Sequence, residues 1–344
     1  MQTKTAQYVN GFDWARAVMS IAVVTWHMHT FGKSLLYSEN FSRFKLNWND
    51  ALNFHLTVVS VPVFVLISCY FMARNQTDWP RLRHRLWRLA LLVVFWTVLM
   101  SLWKGGYVEL KKMIPESPLD LFVIVVSANG EYYYFFMMLI FSLLVSFGAA
   151  RLSNFWNWAG LALSTALVFF LPQIVMSNQQ TIFIAYWNPI NFLPYPFAAT
   201  LVFRYQDRIL ANWRSQLLCI LGLLAISAAF AAYEWTHYIQ GVFYAEGVAI
   251  PLLMRASHIY LGSAIIVLAL WPCRAAPAFI RYMSNASLAL YILHGFYRPV
   301  IIQNTPQLGI PDAATRLLQL AVVVLLCYAT ASVLPLFIKD DMLR

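Results

Sequence analysis

Residues 11–31 read GFDWARAVMSIAVVTWHMHTF, an apolar stretch long enough for a membrane-crossing helix that nonetheless carries Asp13, Arg16 and His27. An ionisable group at mid-bilayer costs roughly 2.5–3.5 kcal/mol on insertion scales, so such groups have partners or functions. His27 lies eleven positions after Arg16, which at 100° per residue leaves them about 20° apart on one helix face. Ser20 lies on the same side, and Asp13 is one turn below Arg16, within reach of an i,i+3 ion pair. The axial rise from Arg16 to His27 is about 16 Å, half a hydrocarbon core. His29 is expected on another face. The structural alternative is a buried Asp–Arg pair that fixes packing, with a histidine at the lipid interface.

The composition sets the context. Of 344 residues, 61% are hydrophobic and only 11% charged, with a mean hydropathy of +0.63. A soluble domain carries about 25% charge. The fold expected is therefore all-α: one polytopic membrane-embedded domain over 1–344, with no appended soluble domain. Ten apolar runs are long enough to span, at about 9–31, 52–73, 86–104, 131–150, 155–175, 189–204, 216–235, 249–271, 279–298 and 314–338. Cytoplasmic termini then put fourteen Lys and Arg in inside segments and seven in outside ones. That bias accounts for the net charge of +10 by the positive-inside rule, so nucleic acid is not needed to explain it. Cys69, Cys219, Cys273 and Cys327 are scattered without CxxC or metal-ligand spacing, so neither a disulfide framework nor a metal site is indicated. The N-terminus lacks a signal-peptide cleavage pattern.

Two connections stand out. Residues 74–88, RNQTDWPRLRHRLWR, form a basic run at the start of the third span, with Arg74 at its head. Arg81, Arg85 and Arg88 recur at i, i+4 and i+7 and so share a helix face. The run reads either as a topology anchor on anionic lipid or as a phosphate clamp. In the outer stretch 104–130, Leu119–Ser127 is apolar but too short to span, and is expected at the interface or re-entering.

Other spans carry polar groups. In FIRYMSNASLALYILHGFYRP, Ser284, Ser287, Tyr291, His294 and Arg298 fall on one stripe of an expected single helix. Arg255 and His258 lie one turn apart near the outer end of the eighth span, and Glu131 opens the fourth beside an aromatic cluster. Groups on separate helices at one depth point to a shared cavity. Taken singly, each also fits an interfacial or internally satisfied residue.

These residues resemble the acyltransferase-3 family of bacterial membrane-bound acyltransferases. Asp13, Arg16, Ala17 and His27 are similar to its Arg-x10-His first helix. VSVPVFVLISCYFMAR resembles its "VPxFFxxSGY" run, with Cys69 in place of the usual Gly. RLRHRLWRL resembles its basic lead into the third span, and SNASLALYILHGFY its late Tyr–His helix. The order of these matches runs across nearly the whole chain. Tyr133–Tyr134–Phe135 departs from the family's Trp–Phe pattern. The resemblance implies transfer of an acyl group, commonly acetyl, from cytoplasmic acyl-CoA to a hydroxyl of a surface or lipid-linked glycan, in a bacterial inner membrane.

On that expectation, His27 is the general base, with Arg16, Asp13 and Glu131 around it. Arg81, Arg85, Arg88, Arg16 and Arg74 hold the donor phosphates. His294, Tyr291, Arg298, Arg255 and His258 face the acceptor. Imidazole suits base chemistry near neutral pH. Three competing classes follow from the same residues: a glycan or lipid transporter or flippase without chemistry, a polyprenyl-phosphate glycosyltransferase, and another membrane acyltransferase. Internal repeats would favour the transporter, and the sequence shows none. Outer-loop acids would favour the glycosyltransferase, and residues 32–50 offer only Glu39 and Asp50.

Overall fold

The computed structural model describes residues 9–31, 52–75, 78–128, 133–178, 187–239, 244–245, 248–249, 255–272, 275–305 and 312–334. Glu131, residues 32–51 and both termini fall outside the described residues.

The described chain is helical apart from an antiparallel pair of two-residue strands, β1 (Tyr244–Ala245) and β2 (Val248–Ala249). The helices are α1 (Asn10–His27), α2 (Ser60–Arg74), α3 (Trp79–Lys111), α4 (Pro118–Ser127), α5 (Tyr134–Ala149) and α6 (Asn154–Asn178). They continue as α7 (Pro194–Ile209), α8 (Trp213–Ile239), α9 (Ala256–Ala269), α10 (Ala278–Asn285), α11 (Ser287–Asn304) and α12 (Asp312–Val333). A π-helical turn, Leu52–Thr57, precedes α2, and a 3-10 turn, Pro189–Phe192, precedes α7.

Five of the described helical segments are long and apolar enough to cross a membrane: Leu52–Arg74, Trp79–Lys111, Asn154–Leu171, Trp213–Thr236 and Asp312–Val333. The other expected spans contain helices that fall short in length or apolarity. Large apolar side chains face outward, among them Val94, Phe155, Leu163, Leu218 and Leu325. With polar groups drawn inside, this is the distribution of a chain solvated by lipid.

The polar helix α1 lies at the centre. It packs against α2, α9, α10, α11, α12 and the π-helical turn. Its close approach to α9 depends on Gly11, where an added Cβ would lie 1.9 Å from the Ala269 carbonyl oxygen. Small residues at such crossings let backbones meet without lipid between them. Hydrogen bonds stitch the bundle elsewhere. Gln216 Nε2 donates to the Val267 carbonyl at 2.7 Å and Ser227 Oγ to the Ser257 carbonyl at 2.8 Å, joining α8 to α9.

Local sequence explains the ends of α3 and α4. Asp78 caps α3 by accepting from the Arg81 amide at 3.0 Å, with Pro80 in the first turn. The helix bends at Gly105–Gly106, where Gly106 has φ +59°, a conformation glycine adopts without cost. Ser117 caps α4 by accepting from the Asp120 amide at 3.1 Å. The short apolar segment is thus a ten-residue helix, and it packs on α5.

Two sequence expectations need correction. The stretch 279–298 is two helices, α10 and α11, broken at Ala286 (φ −86°, ψ 2°). And α1 stops at His27, so His29 lies beyond the helix at φ +51°. Its carbonyl accepts from Arg316 at 3.4 Å.

Candidate active site

The site begins at Asp13. It is buried in the first turn of α1, and its Oδ1 accepts from Ser284 Oγ of α10 at 2.8 Å. A buried carboxylate needs such donors. The contact brings the end of α10 against the turn of α1 that carries Arg16. The Arg16 guanidinium lies over the Phe71 ring, 5.6 Å from its centroid.

Arg16 lines a cavity of about 270 Å³ together with Arg85, Arg88, Ser284, Ser287 and Tyr291. Three cations from α1 and α3 thus converge on one space, with hydroxyls from α10 and α11 opposite. Guanidinium groups in this setting suit phosphate or carboxylate oxygens. Arg81 and Arg74 are not among the lining residues. Arg81 is 77% exposed at its side chain, with its Nε 3.9 Å from Asp78. Arg74 closes α2.

From the cavity, a path of rings runs along α11 to α1. Tyr291 lines the cavity and packs against Phe135 at 5.0 Å. Its ring lies 5.9 Å from that of His294, edge on. His294 stacks on His27, with centroids 4.9 Å apart and planes 29° from parallel. His294 Nδ1 donates to the Leu290 carbonyl at 3.3 Å, which sets the ring's orientation. Arg298 follows one turn later on α11, within electrostatic range of both imidazoles. His27, His294, Tyr291 and Arg298 are therefore neighbours, with Arg16 at the other end of the path.

Arg255 and His258 belong to a second buried cluster. Arg255, just before α9, lies over Phe54 at 4.1 Å and Trp235 at 5.2 Å from the ring centroids. His258 Nε2 donates to the Phe54 carbonyl at 2.8 Å. Glu234 of α8 accepts from the Ser257 amide at 3.0 Å and from the Ser257 hydroxyl. Trp235 Nε1 donates to His55 Nε2 at 2.8 Å. The cluster meets α1 where Phe54 lies 6.4 Å from Trp26, the residue before His27.

Sequence reasoning passed over Glu234, His55, Trp235 and the Ser284–Asp13 contact. Glu234 carried a usable signal, since it is the lone acid in an apolar helix. The others depend on long-range pairing that no local pattern announces. Among the described residues no group of three or more His, Cys, Asp or Glu could hold a metal ion.

A model of the acyltransferase-3 family, an acyltransferase domain, matches residues 9–337. No curated protein and no solved structure gives a significant match.

Proposed function

The chain belongs to the acyltransferase-3 family, and from that premise we propose that it transfers acetyl from cytoplasmic acetyl-CoA to a hydroxyl of a glycan or lipid-linked saccharide outside the membrane. It is an acyltransferase and a membrane protein; donor, acceptor and catalytic base are the proposal. The observation that carries it is the path from the three-arginine cavity through Tyr291 to the stacked His294 and His27.

Arg16, Arg85 and Arg88 pair with the phosphates of the donor. Arg81 and Arg74 lie at the approach, where they attract the anion before it is bound. The thioester then reaches toward α11. Neutral His27 takes the proton from the acceptor hydroxyl as its oxygen attacks the thioester carbonyl. A C–O bond forms, the C–S bond breaks, and the CoA thiolate recovers the proton from the imidazolium. General-base catalysis of this kind contributes about 10²–10⁴ in rate. Glu131 orients the imidazole. His294 and Tyr291 bind the acceptor beside it, with Arg298, Arg255 and His258 as polar contacts farther out.

The sidedness rests on the charge bias: ten spans, both termini cytoplasmic, and the 74–88 run inside. The membrane is the inner membrane of a bacterium. A transporter that moves the glycan without chemistry is the competing reading, favoured by the same buried polar groups. Mass spectrometry of surface glycans from cells with and without the chain separates the two. An added acetyl mass on one sugar supports transfer. Unaltered sugars with changed surface abundance support transport.

A further inference from the structure

The basic run at the start of α3 has two faces, and only one serves the arginine cavity. Arg85 and Arg88 turn toward it. Arg83, two residues from Arg85, points about 200° away. There it lines a second, larger cavity of about 520 Å³ between α3, α4 and α5, within the roughly 300–1,000 Å³ range of ligand sites.

The groove is built from one stripe of α3. Arg83, Trp87, Ala90, Val94 and Thr97 line it at steps of four, three, four and three. The stripe is about 21 Å long, longer than the roughly 15 Å that one leaflet contributes to a hydrocarbon core. Ile124 of α4 and Met137 of α5 form the walls, and Met113, brought back by the Gly105–Gly106 bend, also lines it. Beyond Arg83 and Thr97 every lining side chain is apolar. Trp87 and Val94 are 65% and 62% exposed, so the groove opens sideways to the membrane.

At its basic end the groove shares Arg83 and Trp87 with a smaller pocket of about 310 Å³ completed by Pro80 and His84. Among the described residues Arg83 and His84 make no hydrogen bond or ion pair, whereas neighbouring Arg81 is paired with Asp78. A pocket carrying two basic side chains, joined end-on to an apolar groove, has the shape of an amphiphile. Its cation calls for an anionic head, and its indole sits where tryptophan favours the headgroup layer.

We infer that this groove binds one anionic phospholipid, its phosphate on Arg83 and His84 and an acyl chain along α3. A soluble anion would leave the apolar groove unused. A zwitterionic lipid would bring its own cation toward Arg83.

The test is native mass spectrometry of the full-length protein, purified in detergent and offered equal amounts of phosphatidylglycerol and phosphatidylcholine. Both lipids carry the phosphate, so the preference comes from the choline cation that phosphatidylcholine brings toward Arg83, and the wild type should retain phosphatidylglycerol about tenfold over phosphatidylcholine, a difference of about 1.4 kcal/mol. Arg83→Gln should abolish that preference and Arg81→Gln should leave it. Ala90→Trp, which fills the groove, should lose the retained lipid altogether. Equal retention of both lipids by the wild type would overturn the assignment. So would an unchanged preference in Arg83→Gln, a surface substitution that leaves the packed core intact. A folded Ala90→Trp protein that keeps the lipid would place it elsewhere.

Discussion

Arg85 and Arg88 face a cavity they share with Arg16, so their charges should be felt by the donor more than by the fold. A charge-assisted hydrogen bond contributes about 1.5–3 kcal/mol. Arg85→Gln or Arg88→Gln should therefore raise the KM for acetyl-CoA about tenfold or more, with membrane insertion unchanged. Steady-state kinetics over a range of acetyl-CoA concentrations measure this, and an unchanged KM in both would return these arginines to a topology role. His29 presents a different case. It lies past the end of α1 in a left-handed conformation, with its carbonyl toward Arg316. His29→Ala should keep most of the activity in the same assay, in line with its expected place off the Arg16–His27 face.

At the level of the elements, α1 carries the candidate residues Asp13, Arg16 and His27 and packs on six neighbours at once. Gly11 is the tightest of those contacts, since a Cβ there would overlap the Ala269 carbonyl. Gly222 on α8 has nothing within 4 Å of the same position. Overpacking costs about 1–3 kcal/mol and more where backbone must move. Gly11→Leu should lower the thermal unfolding temperature in detergent, and Gly222→Leu should leave it nearly unchanged. Equal effects from the two would mean that α1 and α9 do not meet as described. How far the elements could be read from sequence follows the same division. The Arg16–His27 spacing and the basic run were visible, because helical period and apolar run length are local properties. The break at Ala286 was not, because Ser284 and Ser287 keep a helical spacing across it. Nor was the contact of Ser284 with Asp13, which joins residues 271 positions apart. The lone acid Glu234 was legible, yet its bonds to Ser257 required knowing that α8 lies beside α9.

For the whole molecule, the proposed function needs donor and acceptor to approach from opposite sides of the membrane. The charge bias in the loops predicts that cysteine-labelling reporters at 74–85 and 205–215 react from the cytoplasm. Reporters at 32–50 and 299–312 should react from outside. Labelling of 74–85 from outside would remove the arginine cavity from any cytoplasmic donor. Under the proposed function, the ring path from that cavity to His27 is where the two sides would meet, and His27 would be the group on which the chemistry turns. The most direct measurement is turnover with His27→Ala. Cells lacking the chain are supplied with wild type or variant at matched expression, and acetyl mass on surface glycans is followed over time. Binding of acetyl-CoA is measured on the purified proteins. If His27 is the general base, the rate of acylation falls about a hundredfold or more, with acetyl-CoA binding retained. Near-normal acylation by a folded His27→Ala protein would contradict that role.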